Sequence, residues 1–260
     1  MVILTDKKIL EKSLRRNAAL NIYQIGDLDD FFWKYTTWYG DDAQEPKNIV
    51  LVYAGVTPPT MISLTDDVAG MTALLKNVKQ SLPGKFFCHL TPGLIDVFGK
   101  EAIIEDYGLH YKMTLRNLNT GIKIVENKIR QLTIHDIEVI KHFYSFSYIG
   151  NWFDKRMLET GIYYGYFEPG ANEEELIGIA GIHIYSPEYR VAAIGNVTTH
   201  PEHRGKGIAT QVTYKLCTEL LKKVDYIGLN VMPDNEAAIR SYKKIGFEVS
   251  AEYEEYCLGR

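Results

Sequence analysis

One short segment constrains this chain more than any other: Thr198-Thr199-His200-Pro201-Glu202-His203-Arg204-Gly205-Lys206-Gly207-Ile208-Ala209. Before it, Val191 to Thr198 reads as a β-branched, apolar strand. After it, Ile208, Val212, Leu216 and Leu220 recur at i, i+4, with Ala209, Cys217 and Leu221 beside them. That stripe predicts a helix laid on a sheet, running to about Lys223. A strand-to-helix turn with two glycines lets backbone amides approach an anion closely. The helix start supplies unpaired N–H groups and a positive dipole end, and Arg204 and Lys206 add charge at the rim. The segment therefore predicts a phosphate or pyrophosphate cradle, weighed against a tight turn that simply needs glycine. No G-x-x-x-x-G-K-[ST] run is present, and Gly205 and Gly207 lack the third glycine, at Thr210, of a dinucleotide loop.

The elements around this turn are also legible. Lys128 to Leu132 reads as a strand and Asp136 to Phe146 as a helix. Ile162 to Phe167 and Leu176 to Ile184 read as strands joined by the solvated loop Glu168 to Glu175. Tyr226 to Val231 is a buried strand, and Ala237 to Ile245 a helix capped by Asp234 or Asn235 with Gly246 just past its end. Phe247 to Leu258 closes the chain as a strand. This order implies an α/β (α+β) fold, a mixed sheet with helices on both faces.

The polar stretch Arg116 to Asn127 divides this half from an earlier one, giving lobes over 1–120 and 127–260. In the first lobe Asp6 to Asn17 reads as a helix, and the aromatics of Phe31 to Tyr39 as a helix packing on a sheet. Ile49 to Ala54 and Thr60 to Leu64 read as strands, and Asp66 or Asp67 caps a helix reaching Gln80. Phe86 to Leu90 is a strand, Pro92 opens a short helix, and His110 to Leu115 is a final strand.

Composition narrows the function classes. The 260 residues are 46% hydrophobic and 24% charged, with net charge −4 and pI near 6.0. Such a chain can bury a core but lacks the clustered cations of a duplex-binding surface, so no nucleic-acid partner is expected. Cys88, Cys217 and Cys257 are odd in number and widely spaced, which fits a reducing compartment and no structural metal. No apolar run reaches membrane-span length, and Met1 to Leu20 does not read as a secretion signal. A soluble cytoplasmic protein is expected, without a membrane partner; a homodimer is left open.

Arg204-x-x-Gly207-x-Ala209 resembles the Arg/Gln-x-x-Gly-x-Gly/Ala loop of the GNAT superfamily of acyl-CoA-dependent N-acyltransferases. Asn235, Ala238, Tyr242, Gly246 and Phe247 resemble its second block, Asn-x-x-Ala-x-x-x-Tyr-x-x-x-Gly-Phe. Together these cover about Asn127 to Arg260. The resemblance implies a mostly antiparallel sheet with one splayed strand, preceded by a smaller α/β lobe. It also implies acetyl-CoA as co-substrate, with coenzyme A held by Arg204, Gly205, Lys206, Gly207, Ile208, Ala209 and Thr210. The pantetheine arm would run beside Asn196, Val197, Thr198 and Thr199, with Asn235 completing the set. In the first lobe, Tyr107-Gly108-Leu109 before an alternating strand echoes Ile245-Gly246-Phe247. That echo is similar to two-domain GNAT proteins such as the glycine N-acyltransferase group, with an unrelated α/β lobe as the alternative.

Acyl transfer to an amine sets further requirements. A lysine-like amine of pKa near 10.4 costs about 4 kcal/mol to deprotonate at pH 7, at roughly 1.36 kcal/mol per unit. Desolvation or a general base can supply this. The backbone N–H of Val197 suits the oxyanion, and Tyr242 suits the leaving thiolate, weighed against a core tyrosine. Many family members place a Glu near the start of the splayed strand, but Arg190, Val191, Ala192 and Ala193 offer no carboxylate. His183 is the remaining candidate base, against a structural histidine. His200 and His203 suit a solvated turn better than a metal. Phe146, Tyr148, Trp152 and Phe153, with Tyr163, Tyr164 and Tyr166, are candidates for an acceptor wall or for core. The reading is an N-acetyltransferase acting on a primary amine of a small molecule or amino acid by direct attack in a ternary complex. The alternatives are a non-catalytic acyl-CoA sensor or scaffold, and a protein-directed N-acetyltransferase.

Overall fold

The computed structural model describes residues 1–151, 153–170 and 174–259. The chain forms two compact units of similar length. One comprises Met1–Lys112, Val231–Pro233 and Val249–Arg260, the other Met113–Asn230 and Asp234–Glu248. Neither division falls at the polar stretch 116–127.

In the first unit the elements run β1 (Val2–Ile3), α1 (Lys7–Leu14), α2 (Ile22–Gly26), α3 (Asp30–Trp33), β2 (Thr36–Gly40), β3 (Ile49–Tyr53) and β4 (Thr60–Ser63). These are followed by α4 (Val68–Val78), β5 (Lys85–Leu90) and β6 (Ile103–Leu115), whose last three residues belong to the second unit. Strands β1 to β4 form an antiparallel meander, and α4 crosses over to bring β5 parallel to β4. Met71, Leu74, Leu75 and Val78 of α4 pack on Val50, Val52, Met61, Cys88 and Leu90. Each such burial contributes about 1.5–3 kcal/mol.

Two expectations for this unit change. The aromatic stretch is not one helix. A single turn ends at Trp33, and the β-branched pair Thr36-Thr37 starts a strand that buries Trp38, whose indole N–H donates to Thr36 Oγ1 at 2.8 Å. The final strand begins seven residues early, at Ile103, because polar Glu105 and Asp106 mask its alternation.

The second unit repeats the plan. Its elements are β7 (Ile129–Gln131), α5 (Ile137–Ser147), α6 (Arg156–Glu159), β8 (Tyr164–Pro169), β9 (Glu174–Ser186) and β10 (Val191–Thr199). They continue with α7 (Ile208–Leu220), β11 (Tyr226–Val231) and α8 (Glu236–Ile245), and β12 (Phe247–Gly259) begins here. Strands β7 to β10 are antiparallel, and α7 crosses over to set β11 parallel to β10. Helices cover both faces of β9. On one, the missing Cβ of Gly178 admits Ile208 of α7; on the other, Gly181 admits the Tyr163 ring. Of the loop joining β8 to β9, residues 171–173 lie outside the described residues.

The sequence places the end of α8 well. Asn235 caps its start and Gly246 ends it at φ 120°. Arg116 N donates to Gly246 O at 3.1 Å, and Asn119 N to Ile245 O at 2.9 Å. A lobe cut at residue 127 would remove these partners, which is why the compact unit reaches back to Met113. A Cβ on Gly246 would stand 1.8 Å from Asn117 O. Gly246→Ala should therefore cost about 2 kcal/mol or more of stability, read as a lowered denaturation midpoint, because both the φ and the clash oppose it.

Candidate active site

The site begins where a ladder ends. Strand β10 pairs with β11 from Val191↔Tyr226 to Ile194↔Leu229, and the pairing stops there although both strands continue. On its other edge β10 stays paired with β9, Gly195 opposite Gly181 and Thr198 opposite Ile179. Two residues, Asn196 and Val197, thus oppose the single residue Ala180, which makes a β-bulge. Asn196 is left-handed at φ 56°, a conformation that asparagine tolerates better than most residues.

A polar network holds the bulge. Asn196 Nδ2 donates to Tyr163 Oη at 2.9 Å, and His183 Nε2 lies 3.3 Å from Asn196 Oδ1. Because the amide nitrogen is committed to Tyr163, the amide oxygen accepts, so His183 carries its proton on Nε2 and Nδ1 is the basic nitrogen. The Tyr163 hydroxyl donates toward the Ile182 carbonyl at 3.3 Å. The Tyr144 hydroxyl donates to the Asn196 carbonyl at 3.0 Å. Sequence reasoning expected Asn196 to face a cofactor. Instead its side chain turns inward and its carbonyl is taken.

His183 is half-buried, its ring against Gly195, where a Cβ would meet it at 2.3 Å. Burial pulls its pKa below the ordinary imidazole value, with the Asn196 bond opposing. It is therefore neutral at pH 7 and able to accept a proton. Positions 190–193 carry no carboxylate: Arg190 forms the turn at φ 54° and pairs with the Asp225 carboxylate through two bonds of 2.7 and 2.6 Å.

Beyond the bulge comes the anticipated loop. Gly205 and Gly207 have φ 78° and 77°, and among the described residues nothing but the chain neighbours lies within 4 Å of where a Cβ would stand on either. Gly207 is the N-cap of α7, so the exposed loop Arg204–Gly207 leads into a helix start with uncommitted N–H groups. Ile208 and Thr210 are buried beneath it, with Ala209 between them half-buried. Arg204 is not a loose surface cation: Nε lies 3.4 Å from Thr199 O and Nη2 3.4 Å from Ser147 O. Thr198 Oγ1 donates to that same Ser147 carbonyl at 3.0 Å. The C-terminus of α5 thus fastens both strand and loop. Thr199 Oγ1 is buried with no hydrogen-bond partner among the described residues. Lys206 is exposed at the rim.

Tyr242 lies buried on α8, its ring against Phe247 at 5.9 Å. Burial, and then the nearby Tyr148 and Cys217, push its phenol well above the usual range, so it keeps its proton. Asn235, the other expected cofactor residue on this element, accepts Ala238 N at 3.2 Å with its side-chain oxygen and acts as the helix cap. His200 caps the turn Pro201–His203, its ring nitrogen accepting the Glu202 N–H.

The aromatic candidates separate. Phe146 and Tyr148 are partly exposed. Phe153 sits between the Tyr144 and Tyr163 rings at 5.5 and 5.9 Å. Tyr163, Tyr164 and Tyr166 are core, and Tyr164 feels Glu219 and Lys215 of α7, the face of the sheet opposite Tyr163. Trp152 lies outside the described residues. The roles of Tyr144 and Ser147 were missed because one acts through a hydroxyl and the other through a backbone carbonyl. Only the alignment of Tyr144 and Ser147 on one α5 face could have signalled them.

The first unit repeats the strand–helix link without its chemistry. Strand β4 pairs with β5 along its whole length, Thr60↔Phe87 to Ser63↔Leu90. Its link, Leu64-Thr65-Asp66-Asp67, has no glycine, and Asp67 fills the start of α4 by accepting Gly70 N at 3.0 Å. That carboxylate is held below its usual pKa by the Gly70 and Asn48 bonds. An anion would meet charge of its own sign.

Comparison with known proteins agrees with this geometry. Residues 129–247 match the model of the acetyltransferase (GNAT) family, so this segment is a GNAT acetyltransferase domain. Among solved structures, a Drosophila protein is similar over 96% of this chain and 94% of its own, at 10% identity and TM-score 0.71. A GNAT-family acetyltransferase from Colwellia psychrerythraea is similar over 100% of both chains, at 12% identity and TM-score 0.58. A tandem GNAT protein of the clavulanic acid biosynthesis pathway is similar over 96% and 93%, at 14% identity and TM-score 0.57. These likenesses concern the fold. No curated protein matches in sequence.

Gly207→Val places a β-branched residue at φ 77° where the loop must present its amides. Calorimetric titration should show coenzyme A affinity reduced by about tenfold or more, with the far-ultraviolet circular dichroism of the native protein retained. Unchanged affinity would remove the cradle assignment.

Proposed function

We propose that this protein transfers an acetyl group from acetyl-CoA to a primary amine of a small molecule or amino acid, by direct attack in a ternary complex. The observation that carries this reading is the opening of the β10–β11 ladder immediately before a glycine loop and a helix start. An acyl thioester lies along such an edge, and an anionic diphosphate fits such a turn. The residues fit coenzyme A: two glycines with clear space above them, Arg204 and Lys206 at the rim, and the unpartnered Thr199 hydroxyl beside them. Acetyl-CoA, when bound, supplies an activated thioester.

The chain supplies the rest. Arg204 through Thr210 hold the diphosphate, and the edge of β10 from Val197 to Thr199 offers backbone groups to the pantetheine arm. The Val197 N–H stabilises charge on the carbonyl oxygen. His183, neutral through burial, takes a proton from the substrate ammonium through Nδ1, leaving the neutral amine that attacks the thioester carbonyl. Tyr242, kept protonated, donates to the departing thiolate, whose unperturbed pKa is near 8.5. No cysteine acts as a covalent carrier, since Cys88, Cys217 and Cys257 are all buried and burial pushes the Cys217 thiol far up.

The test of the whole reading is a panel of amines and amino acids with acetyl-CoA, following free thiol. Acceptor-dependent release supports it; coenzyme A binding without release for any acceptor favours a sensor or scaffold. Tyr242→Phe removes one hydroxyl, so turnover should fall by about 10²–10⁴ while coenzyme A affinity changes less than about tenfold. The acidic limb of turnover should lie below pH 6.5, because the neutral His183 form is lost only as pH falls through its lowered pKa. The limb should vanish in His183→Ala; persistence there would return the histidine to a structural role.

A further inference from the structure

We infer that Tyr144 is a positioning residue for acyl transfer, its hydroxyl fixing the peptide plane that presents the Val197 N–H. The inference rests on the acyl-transfer reading above and adds a residue to it. Its starting point is planarity: the Asn196 carbonyl and the Val197 N–H belong to one peptide unit and, in the trans form, point in opposite directions. Whatever holds one aims the other.

The register shows where Val197 N–H points. His200 N donates to Ile177 O of β9 at 2.8 Å, and Thr198 pairs with Ile179 of the same strand. By strand alternation the N–H groups of Val197 and Thr199 lie on the opposite edge. That is the edge where pairing with β11 has stopped. The Asn196 carbonyl correspondingly faces away from the opening, and there it meets Tyr144 Oη at 3.0 Å.

This peptide needs such a hold. Asparagine tolerates φ 56° but does not by itself fix the peptide that follows, and a bulge has a freedom of peptide orientation that a regular ladder lacks. The Asn196 side chain is fixed by Tyr163 and His183, but those bonds leave the following peptide plane free to rotate about ψ. Among the described residues, the Tyr144 bond is the one that acts on the plane itself. A hydrogen bond to the carbonyl also polarises the amide, which strengthens the N–H as a donor to developing negative charge. Tyr144 is buried on α5, whose last turn is tied to the same region through Ser147 O, so the hydroxyl cannot drift. Burial pushes its phenol far above the ordinary range, and it remains a donor at every working pH.

The experiment uses the full chain labelled with ¹⁵N-valine and a ketone analogue of acetyl-CoA in which a methylene follows the sulfur and the carbonyl is retained. In the native protein the Val197 amide proton should move downfield with the analogue and not with free coenzyme A. In Tyr144→Phe that carbonyl-dependent shift should fall by about half or more, with analogue affinity within about threefold of native. Turnover should fall by about tenfold or more with both KM values within about threefold, since only a transition-state contact is weakened. A shift of equal size in the two proteins would overturn the inference. So would a native Val197 amide that stays put with the analogue bound, an outcome that needs no variant at all. An analogue that fails to bind native protein would instead sink the acyl-transfer reading itself.

Discussion

Backbone peptides in a sheet are obliged to find partners, and the ladder between β10 and β11 gives up this pairing after Ile194 and Leu229. The rest of the second unit is arranged around that concession. An open strand edge is stable only if something else binds it or its neighbours hold it rigid. Here β9 holds β10 on the far side, the bulge at Asn196 and Val197 shifts the alternation by one residue, and α5 clamps the strand beyond it. The peptide groups of β10 are thereby released from the ladder with β11 without the strand losing its shape.

The clamp works because each contact restrains a different degree of freedom. Tyr163 and His183 hold the Asn196 side chain, Tyr144 holds its carbonyl, and Ser147 O collects Thr198 and Arg204. Three glycines make the approach possible, since Gly178, Gly181 and Gly195 accept Ile208, Tyr163 and His183 where a methyl group would stand. The first unit is the natural control. It has the same meander and crossover, yet β4 and β5 pair throughout and Asp67 occupies the helix start with its own carboxylate. One topology yields a strand pair that stays closed in one unit and one that opens before a glycine turn in the other.

Much of this was readable beforehand. The stripe Ile208, Val212, Leu216, Leu220 gave α7, and Gly246 marked the end of α8, because helical periodicity and left-handed caps are local properties. Gly205 and Gly207 announced the loop for the same reason. The stretch Phe31 to Tyr39 misled, since aromatic content does not separate helix from strand, and burial of Trp38 against a sheet decided it. The sequence also left the aromatic cluster open between an acceptor wall and core. Alternation sends Tyr163 and Tyr164 to opposite faces, and only the packing of α7 tells which face is which.

The sequence by itself determined most elements of the second unit, the glycine turn and the candidates Tyr242 and His183, because each depends on residues a few positions apart. The tertiary structure alone decided where the ladder opens, since that requires the register of β10 against β9 and β11 together. It alone turned Asn196 inward and set Tyr144, 52 residues away, against its carbonyl. It also moved the unit boundary back to Met113, because Arg116 and Asn119 find their partners on Gly246 and Ile245. Hydrogen bonds between residues so far apart in the chain leave no periodic trace, and only the folded backbone brings their donors and acceptors within reach.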